Sequence, residues 1–191
     1  MNEVYIKSIV NILVGYQSRS KIEERGDGTH RIIQRKDFDS SGKLNLDTLV
    51  SFIPTGNPQI YSVNQGDILF QARGMEHLSY CLRDKLLNTL AAGSFYILRV
   101  KYDNILPEFL CWWLNQEFAQ NYFKSHARTS AISFVSKSIL EQLRIKVPPL
   151  SKQRKIIRIN RLLEQEIALQ KRLAYLRSQL VRSMCSKALH Q

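Results

Sequence analysis

From Ser151 to Leu189 the chain contains neither glycine nor proline, and most of its residues are good helix formers. That stretch predicts one continuous helix over residues 151–191, with Ser151 as its cap and Lys152, Gln153 and Arg154 in its first turn. About 38 residues at ~1.5 Å each make a rod near 57 Å, too long to fold back on a small domain along its whole length. Leu169, Leu173, Leu176 and Leu180 follow the 4-3-4 spacing of a coiled-coil seam, and Leu162 lies one heptad before Leu169. Ile156, Ile159, Leu163 and Ile167 form an offset stripe, so the apolar face is broad and shifts along the helix. A face of this kind must be covered by a second helix, and the sequence predicts no other long one. Dimerisation, or docking to another subunit, is therefore expected through Ile156, Ile159, Leu162, Leu163, Leu169, Leu173, Leu176 and Leu180.

Charge follows the same division. Residues 1–150 carry 18 basic and 14 acidic side chains, whereas residues 151–191 carry 10 basic ones against Glu164 and Glu166. The balances are +4 and +8, which together give the net charge of +12. Two thirds of the excess thus lies on the helix. A basic surface attracts polyanions through long-range Coulomb forces and counterion release. Charge alone does not distinguish a nucleic acid from the acidic face of a partner protein.

Residues 1–150 read as a single α/β domain with a mixed sheet and packed helices. The run Val4–Val14 predicts a short strand or a mixed start. Residues 21–43 are polar and turn-rich, flank an expected strand at Arg31–Gln34, and hold Lys21, Arg25, Arg31, Arg35, Lys36 and Lys43. A tight reversal at Asn64–Asp67 precedes a buried strand at Ile68–Phe70, with Arg73-Gly74 at its end. Phe95–Val100 is a strong strand pattern. Pro107 is expected to open a helix over Glu108–Lys124, whose aromatic residues Phe109, Trp112, Trp113, Phe118 and Phe123 predict core packing. Residues 125–136 read as a polar turn, followed by a short helix at Ile139–Leu143 and a strand at Arg144–Val147. The pair Pro148-Pro149 then closes the domain.

Several chemistries find no support. Neither standard spacing of a glycine-rich phosphate loop is present, and no serine sits on a nucleophile elbow. The four histidines, at 30, 77, 126 and 190, have no metal-ligand spacing, and Cys81, Cys111 and Cys185 form neither a disulfide framework nor a metal site. The double proline lacks the preceding Asn or Asp of an amino-methyltransferase loop. Asp67 and Glu76, near Arg73, are the one carboxylate pair with which a metal-dependent nuclease could be built. No cofactor or metal is expected. No apolar stretch approaches the ~20 residues of a membrane span, and Met1–Gly15 lacks a secretory pattern, so a cytoplasmic location is expected.

Several residue runs carry a family likeness. Asn64-Gln65-Gly66-Asp67-Ile68-Leu69-Phe70, followed by Arg73-Gly74, resembles the "GDILF…RG" run of type I restriction–modification specificity subunits. Leu98-Arg99-Val100 and Ile105-Leu106-Pro107-Glu108-Phe109-Leu110 are similar to the family's "LRP…ILPEYL" block. Ile145-Lys146-Val147-Pro148-Pro149-Leu150, then Gln153 and Ile156, resembles "IPVPPLxxQxxI", the most specific of the blocks. The likeness runs from about Gly15 to Leu180, with the blocks in the family's order.

The resemblance implies a non-catalytic target recognition domain that reads one half of a split double-stranded DNA site. It also implies a helix that spaces this domain from its counterpart and docks methyltransferase (modification) subunits. Family members usually hold two such domains and two long helices, so this chain resembles half a subunit that two copies would complete as a homodimer. On this basis Arg19, Lys21, Arg31, Arg35, Lys36, Arg73 and Arg128 are the candidate DNA-binding residues. Two other functions stay open, an assembly protein of the same ancestry without sequence-specific DNA binding and a metal-dependent nuclease.

Overall fold

The computed structural model of the chain describes residues 3–18, 21–39, 42–74, 76–127 and 133–189. It is a mixed α/β domain with a long C-terminal helix, and it divides into two compact units, Met1–Arg154 and Lys155–Gln191. In the first unit, β1 (Glu3–Tyr5), α1 (Ile6–Ile9) and β2 (Val10–Val14) open the chain, followed by β3 (His30–Ile33) and β4 (Val50–Phe52). Next come β5 (Ile68–Gln71), β6 (Ser79–Cys81), β7 (Thr89–Ala91) and β8 (Phe95–Val100). Helices α2 (Pro107–Leu114), α3 (Glu117–His126) and α4 (Lys137–Gln142) lead to β9 (Arg144–Lys146), and α5 spans Leu150–Leu189.

The described strands form three sheets: β1-β9, β2-β8-β5-β6 and β4-β3-β7. All pairings are antiparallel except β3 with β7. The four-stranded sheet is the centre of the unit. Its register places Leu13, Ile97, Leu69 and Tyr80 across one face, where they join Ile33, Phe38, Leu49 and Ala91 in a shared core. The other face carries Phe70, whose ring lies 4.8 Å from that of Phe123 on α3. Helices thus cover one face and the three-stranded sheet covers the other. Strands buried on both faces need apolar residues at successive positions rather than alternation. Ile68–Gln71 is buried throughout, as are the first four residues of Phe95–Val100. Gly15 lets β2 pass Ala92 closely; a Cβ at that position would collide with the Ala92 carbonyl.

Several expectations are corrected. The helix expected over Glu108–Lys124 is two helices, broken at Asn115-Gln116. The Asn115 amide is spent on β6, accepting from the Ser79 N–H at 2.8 Å and donating to the Ser79 carbonyl at 2.9 Å. Of the aromatics on these helices, Phe109, Trp113 and Phe123 are core residues, whereas Phe118 is 53% exposed. Ser125 and His126, expected in a turn, still belong to α3. The strand expected at Arg31–Gln34 is β3, one residue earlier, because Gln34 caps a 3-10 turn at Arg35–Asp37. Ser151 does not cap α5, which begins at Leu150; the Pro149 carbonyl accepts from the N–H groups of Lys152 and Gln153 at 2.9 and 3.1 Å.

The Gln153 side chain, fully buried, ties three segments of the first unit together. It accepts from the Leu106 N–H at 2.9 Å and donates to the carbonyls of Asn104 at 2.9 Å and Pro148 at 2.8 Å. In the second unit, Leu162, Leu169, Leu173, Leu176 and Leu180 are between 47% and 70% exposed, and Ile159 and Leu163 are similarly open. Ile156 is half-buried. No helix among the described residues is long and apolar enough to cross a membrane.

Candidate nucleic-acid interface

Among the described candidate DNA-binding residues, Arg31, Arg35 and Lys36 lie on β3 and the turn that follows it, and Arg73 lies past the end of β5. Arg31 lies on β3, opposite Ser51 on β4 and Thr89 on β7, and its N–H donates to the Asn88 carbonyl at 2.8 Å. Arg35 and Lys36 follow in the 3-10 turn. That turn is held by Asp37, 1% exposed, whose carboxylate accepts from the Gln34 N–H at 2.6 Å. Lys36 and Lys21 are exposed, while Arg31 and Arg35 are half-buried.

Arg35 is already engaged within the domain. Its guanidinium lies 5.6 Å from the Tyr80 ring centroid, and one of its N–H groups donates to the Phe38 carbonyl at 3.3 Å. The Tyr80 ring stacks on Phe38 at 3.9 Å. Burial pushes the Tyr80 phenol above its ordinary pKa, and the Arg35 charge draws it partly back. A cation packed on a ring keeps its outer N–H groups available, so Arg35 presents a fixed rather than a flexible donor.

Arg73 lies past the end of β5. Its residue bridges to Phe134, and its guanidinium lies 5.2 Å from that ring. Burial raises the Tyr96 phenol, and Arg73 lowers it again in part. Around Arg73 the backbone is clamped: Val135 N–H donates to the Ala72 carbonyl at 3.0 Å and Gly74 N–H to the Ser133 carbonyl at 3.1 Å. His77, 2% exposed, completes the clamp, with Nδ1 at 3.0 Å from the Gln71 carbonyl and Nε2 at 3.0 Å from Ser133 Oγ. Arg73 is thereby fixed beside the segment Ser133–Val135. Arg19 and Arg128 themselves lie outside the described residues.

Asp67 is not available to a metal ion. It is 2% exposed, and its two carboxylate oxygens accept from Arg99 at 2.9 and 2.8 Å. One of them also takes the Asn64 N–H at 2.7 Å. This pairing raises the Arg99 pKa, chiefly through the hydrogen bond to Asp67. Gly66, at φ +86°, supplies the left-handed residue of the turn that aims Asp67 inward. Among the described residues, no group of three or more His, Cys, Asp or Glu is placed to hold a metal ion. The carboxylate pair on which a nuclease was conceivable therefore dissolves: Asp67 orders the scaffold, and Glu76 is left without it.

Sequence reasoning also missed Arg99, Gln153 and His77 as organising residues. Each bonds to a residue distant in sequence, so no local pattern marks it, although Gln153 does occupy the glutamine of the "PPLxxQ" run.

Residues 1–174 match the family model described as the type I restriction modification DNA specificity domain. The chain belongs to that family. No sequence among curated proteins matches this specificity domain significantly. Its fold is similar to that of the type I restriction–modification S subunit from M. genitalium (TM-score 0.58, 16% identity), covering 86% of this chain and 39% of that one. It is also similar to the HsdS subunit from Thermoanaerobacter tengcongensis (TM-score 0.59, 20% identity), covering 90% of this chain and 39% of that one. A third solved chain, from work on complex assembly and conformational transition of the type I R-M system, gives a TM-score of 0.59 at 19% identity, with 90% and 40% covered. The specificity domain with its helix spans about two fifths of the length of these structures. The family's description is of a specificity module, not a catalytic one.

Proposed function

We propose that this chain reads one half of a bipartite double-stranded DNA site as the non-catalytic specificity component of a type I restriction–modification methyltransferase. Residues 1–150 act as the target recognition domain, and residues 151–191 as the helix for dimerisation and docking of the modification subunit. The observation that carries this proposal is the family match across residues 1–174, which takes in both the domain and most of the helix. The basic side chains support it. Lys21, Lys36 and Arg73 are exposed, and Arg31 and Arg35 keep part of their surface open.

In this mechanism no bond is broken by the chain. Arg31, Arg35 and Arg73, with Arg19 and Arg128, donate to base edges in the major groove, each good bidentate contact contributing about 1–3 kcal/mol of discrimination. Lys21 and Lys36 meet phosphates, which set register without carrying sequence information. The open row of Leu162, Leu169, Leu173, Leu176 and Leu180 is covered by the α5 of a second copy, so that two domains address two half-sites.

The test is selection of bound duplexes from a randomised pool, with the host's methyltransferase subunits present, followed by sequencing. Two short blocks at fixed spacing are expected, mirror-symmetric if the complex is a homodimer. Salt-sensitive retention without any enriched motif refutes sequence-specific reading and leaves an assembly protein. Asymmetric blocks refute the homodimer alone.

A further inference from the structure

The four-stranded sheet ends on β2, which has a neighbour on one side only among the described residues. The phase of its ladder follows from two flanking bonds. Lys101 N–H donates to the Ile9 carbonyl and Gly15 N–H to the Phe95 carbonyl, both at 3.0 Å. Odd-numbered residues of β2 therefore bond across to β8, and even-numbered ones turn their N–H and C=O outward. Ile12 and Val14 turn both groups away from β8, and Val10 its carbonyl, its N–H being taken by the Ile6 carbonyl. Past Val14 the same side of the chain is occupied, Tyr16 N–H donating to the Ala91 carbonyl at 2.7 Å, so the unpaired stretch ends at Val14. This edge opens into a trough of about 390 Å³ whose walls include Val10–Leu13, and four cations line it, Lys7, Arg99, Lys101 and Lys137.

Two of these cations have carboxylate partners. Arg99 is held by Asp67, and Lys137 lies 3.9 Å from Glu141, itself part of the wall. Lys101 Nζ donates to the Lys7 carbonyl at 2.9 Å, an interaction that leaves both ammonium charges uncompensated. The trough is therefore a row of alternating backbone donors and acceptors under a net positive field.

We propose that this edge docks an extended acidic segment of a partner protein, which adds a strand to the sheet beside β2. The chemistry separates the occupants. A DNA backbone offers acceptors only, so the outward carbonyls of Val10, Ile12 and Val14 would face phosphate oxygens with no donor between them. A second copy of the same edge would bring the uncompensated Lys7 and Lys101 of one chain against those of the other, the arrangement by which edge lysines prevent sheet-to-sheet pairing. An extended peptide backbone supplies both donors and acceptors, and alternate glutamate or aspartate side chains reach the lysines. Docking at this edge involves only the strand and its cations and is independent of DNA reading by the domain.

The experiment uses the full chain and a short peptide of alternating glutamate and valine, followed by amide hydrogen exchange at Ile12 and Val14 and by fluorescence anisotropy. Saturating peptide is expected to slow exchange at both amides about tenfold or more. The same peptide N-methylated at alternate residues, or with lysine in place of glutamate, is expected not to bind. Lys101→Glu and Lys137→Glu should each weaken binding about threefold. Binding of the N-methylated peptide with undiminished affinity, or binding that leaves Ile12 and Val14 unprotected, overturns the proposal. So does protection of these amides by a random DNA duplex, which would make the trough a phosphate surface. The two peptide controls act on the unaltered protein, so the test survives a variant that fails to fold. Selection of DNA motifs by Lys137→Glu is expected to be unchanged, which keeps this result separate from that of target reading.

Discussion

Replacing Gln153 tests whether one buried amide fastens the start of α5 to the domain. Its three hydrogen bonds, at 2.8–2.9 Å, join the Asn104 carbonyl, the Leu106 N–H and the Pro148 carbonyl. A net value near 1 kcal/mol per bond sets the loss in Gln153→Leu at about 3 kcal/mol. Asn104 is exposed, so its carbonyl recovers a bond to water, and the apolar leucine regains some burial energy. The net destabilisation is then about 2 kcal/mol. For a chain of this size that corresponds to a fall in Tm of about 4–8 °C. Both tryptophans, Trp112 and Trp113, lie on α2, the helix that begins just after Leu106, so their fluorescence follows the affected region during urea unfolding.

Gln153→Glu sharpens the test. Glutamate still accepts from Leu106 N–H, but its second oxygen faces two carbonyls in a fully buried position. At neutral pH the unpaired charge is expected to cost about 3–5 kcal/mol, more than the leucine variant. The folded state then favours the protonated acid, which raises the carboxyl pKa above its unfolded value. The variant's stability is accordingly best preserved below pH about 4 and is lost as pH rises through the raised value. Measured against the wild-type chain at each pH, the deficit should shrink in acid. A Gln153→Leu midpoint equal to that of the wild type, or a Gln153→Glu deficit independent of pH, refutes the assignment of Gln153 as the fastening residue.

Asp67→Asn should lower stability by about 2 kcal/mol in urea unfolding, less than a fully buried pair because the Arg99 side chain is 37% exposed and water can solvate its charge. Changing Leu169, Leu173, Leu176 and Leu180 together to serine should abolish self-association in sedimentation while leaving the thermal unfolding of the Met1–Arg154 unit in place. Tyrosinate absorbance should show Tyr80 and Tyr96 ionising above the ordinary value near 10. Each binds its proton more tightly when folded, so its contribution to stability is complete below pH about 10 and lost as pH rises through the elevated pKa.

Much of the fold is legible where local pattern and tertiary environment agree. Ile68–Phe70 and Phe95–Val100 announce themselves as strands buried on both faces because their apolar residues are contiguous. The C-terminal helix follows from the absence of Gly and Pro. Disagreement begins where a distant contact decides. The β-branched opening leaves a strand and a mixed start both open in the sequence, and a distant contact accompanies the outcome: Ile6–Ile9 makes a single helical turn, with the Ile6 N–H held by the Leu143 carbonyl at 2.8 Å. The break at Asn115-Gln116 lies in sequence free of Gly and Pro and coincides with the bond between Asn115 and Ser79, 36 residues away. At the candidate interface, residue type was legible and placement was not. Arginine in a turn-rich stretch is visible in sequence, but the packing of Arg35 on Tyr80 and of Arg73 on Phe134 depends on strands from elsewhere in the chain.

The runs that carry the family likeness mostly describe the scaffold. Asp67, Ile68, Leu69, Phe70, Phe109, Leu110 and Gln153 all lie within them, and all are buried. Their physical duties account for the run in which each occurs. Gly66 makes the turn, Asp67 holds Arg99 of the "LRP"-like block, Pro107 opens α2, and Gln153 bridges the ends of two blocks. Of the DNA-binding candidates, only Arg73 belongs to such a run; Lys21, Arg31, Arg35 and Lys36 lie outside them. A scaffold defined by buried polar bonds tolerates free variation at exposed positions, because surface substitutions away from such bonds change stability by about 0.5 kcal/mol or less. Target sequence can therefore change on this fold without unfolding it. Exchanging Lys21 and Lys36 should alter DNA affinity while leaving Tm in place, whereas exchanging Asp67 or Gln153 should do the reverse first.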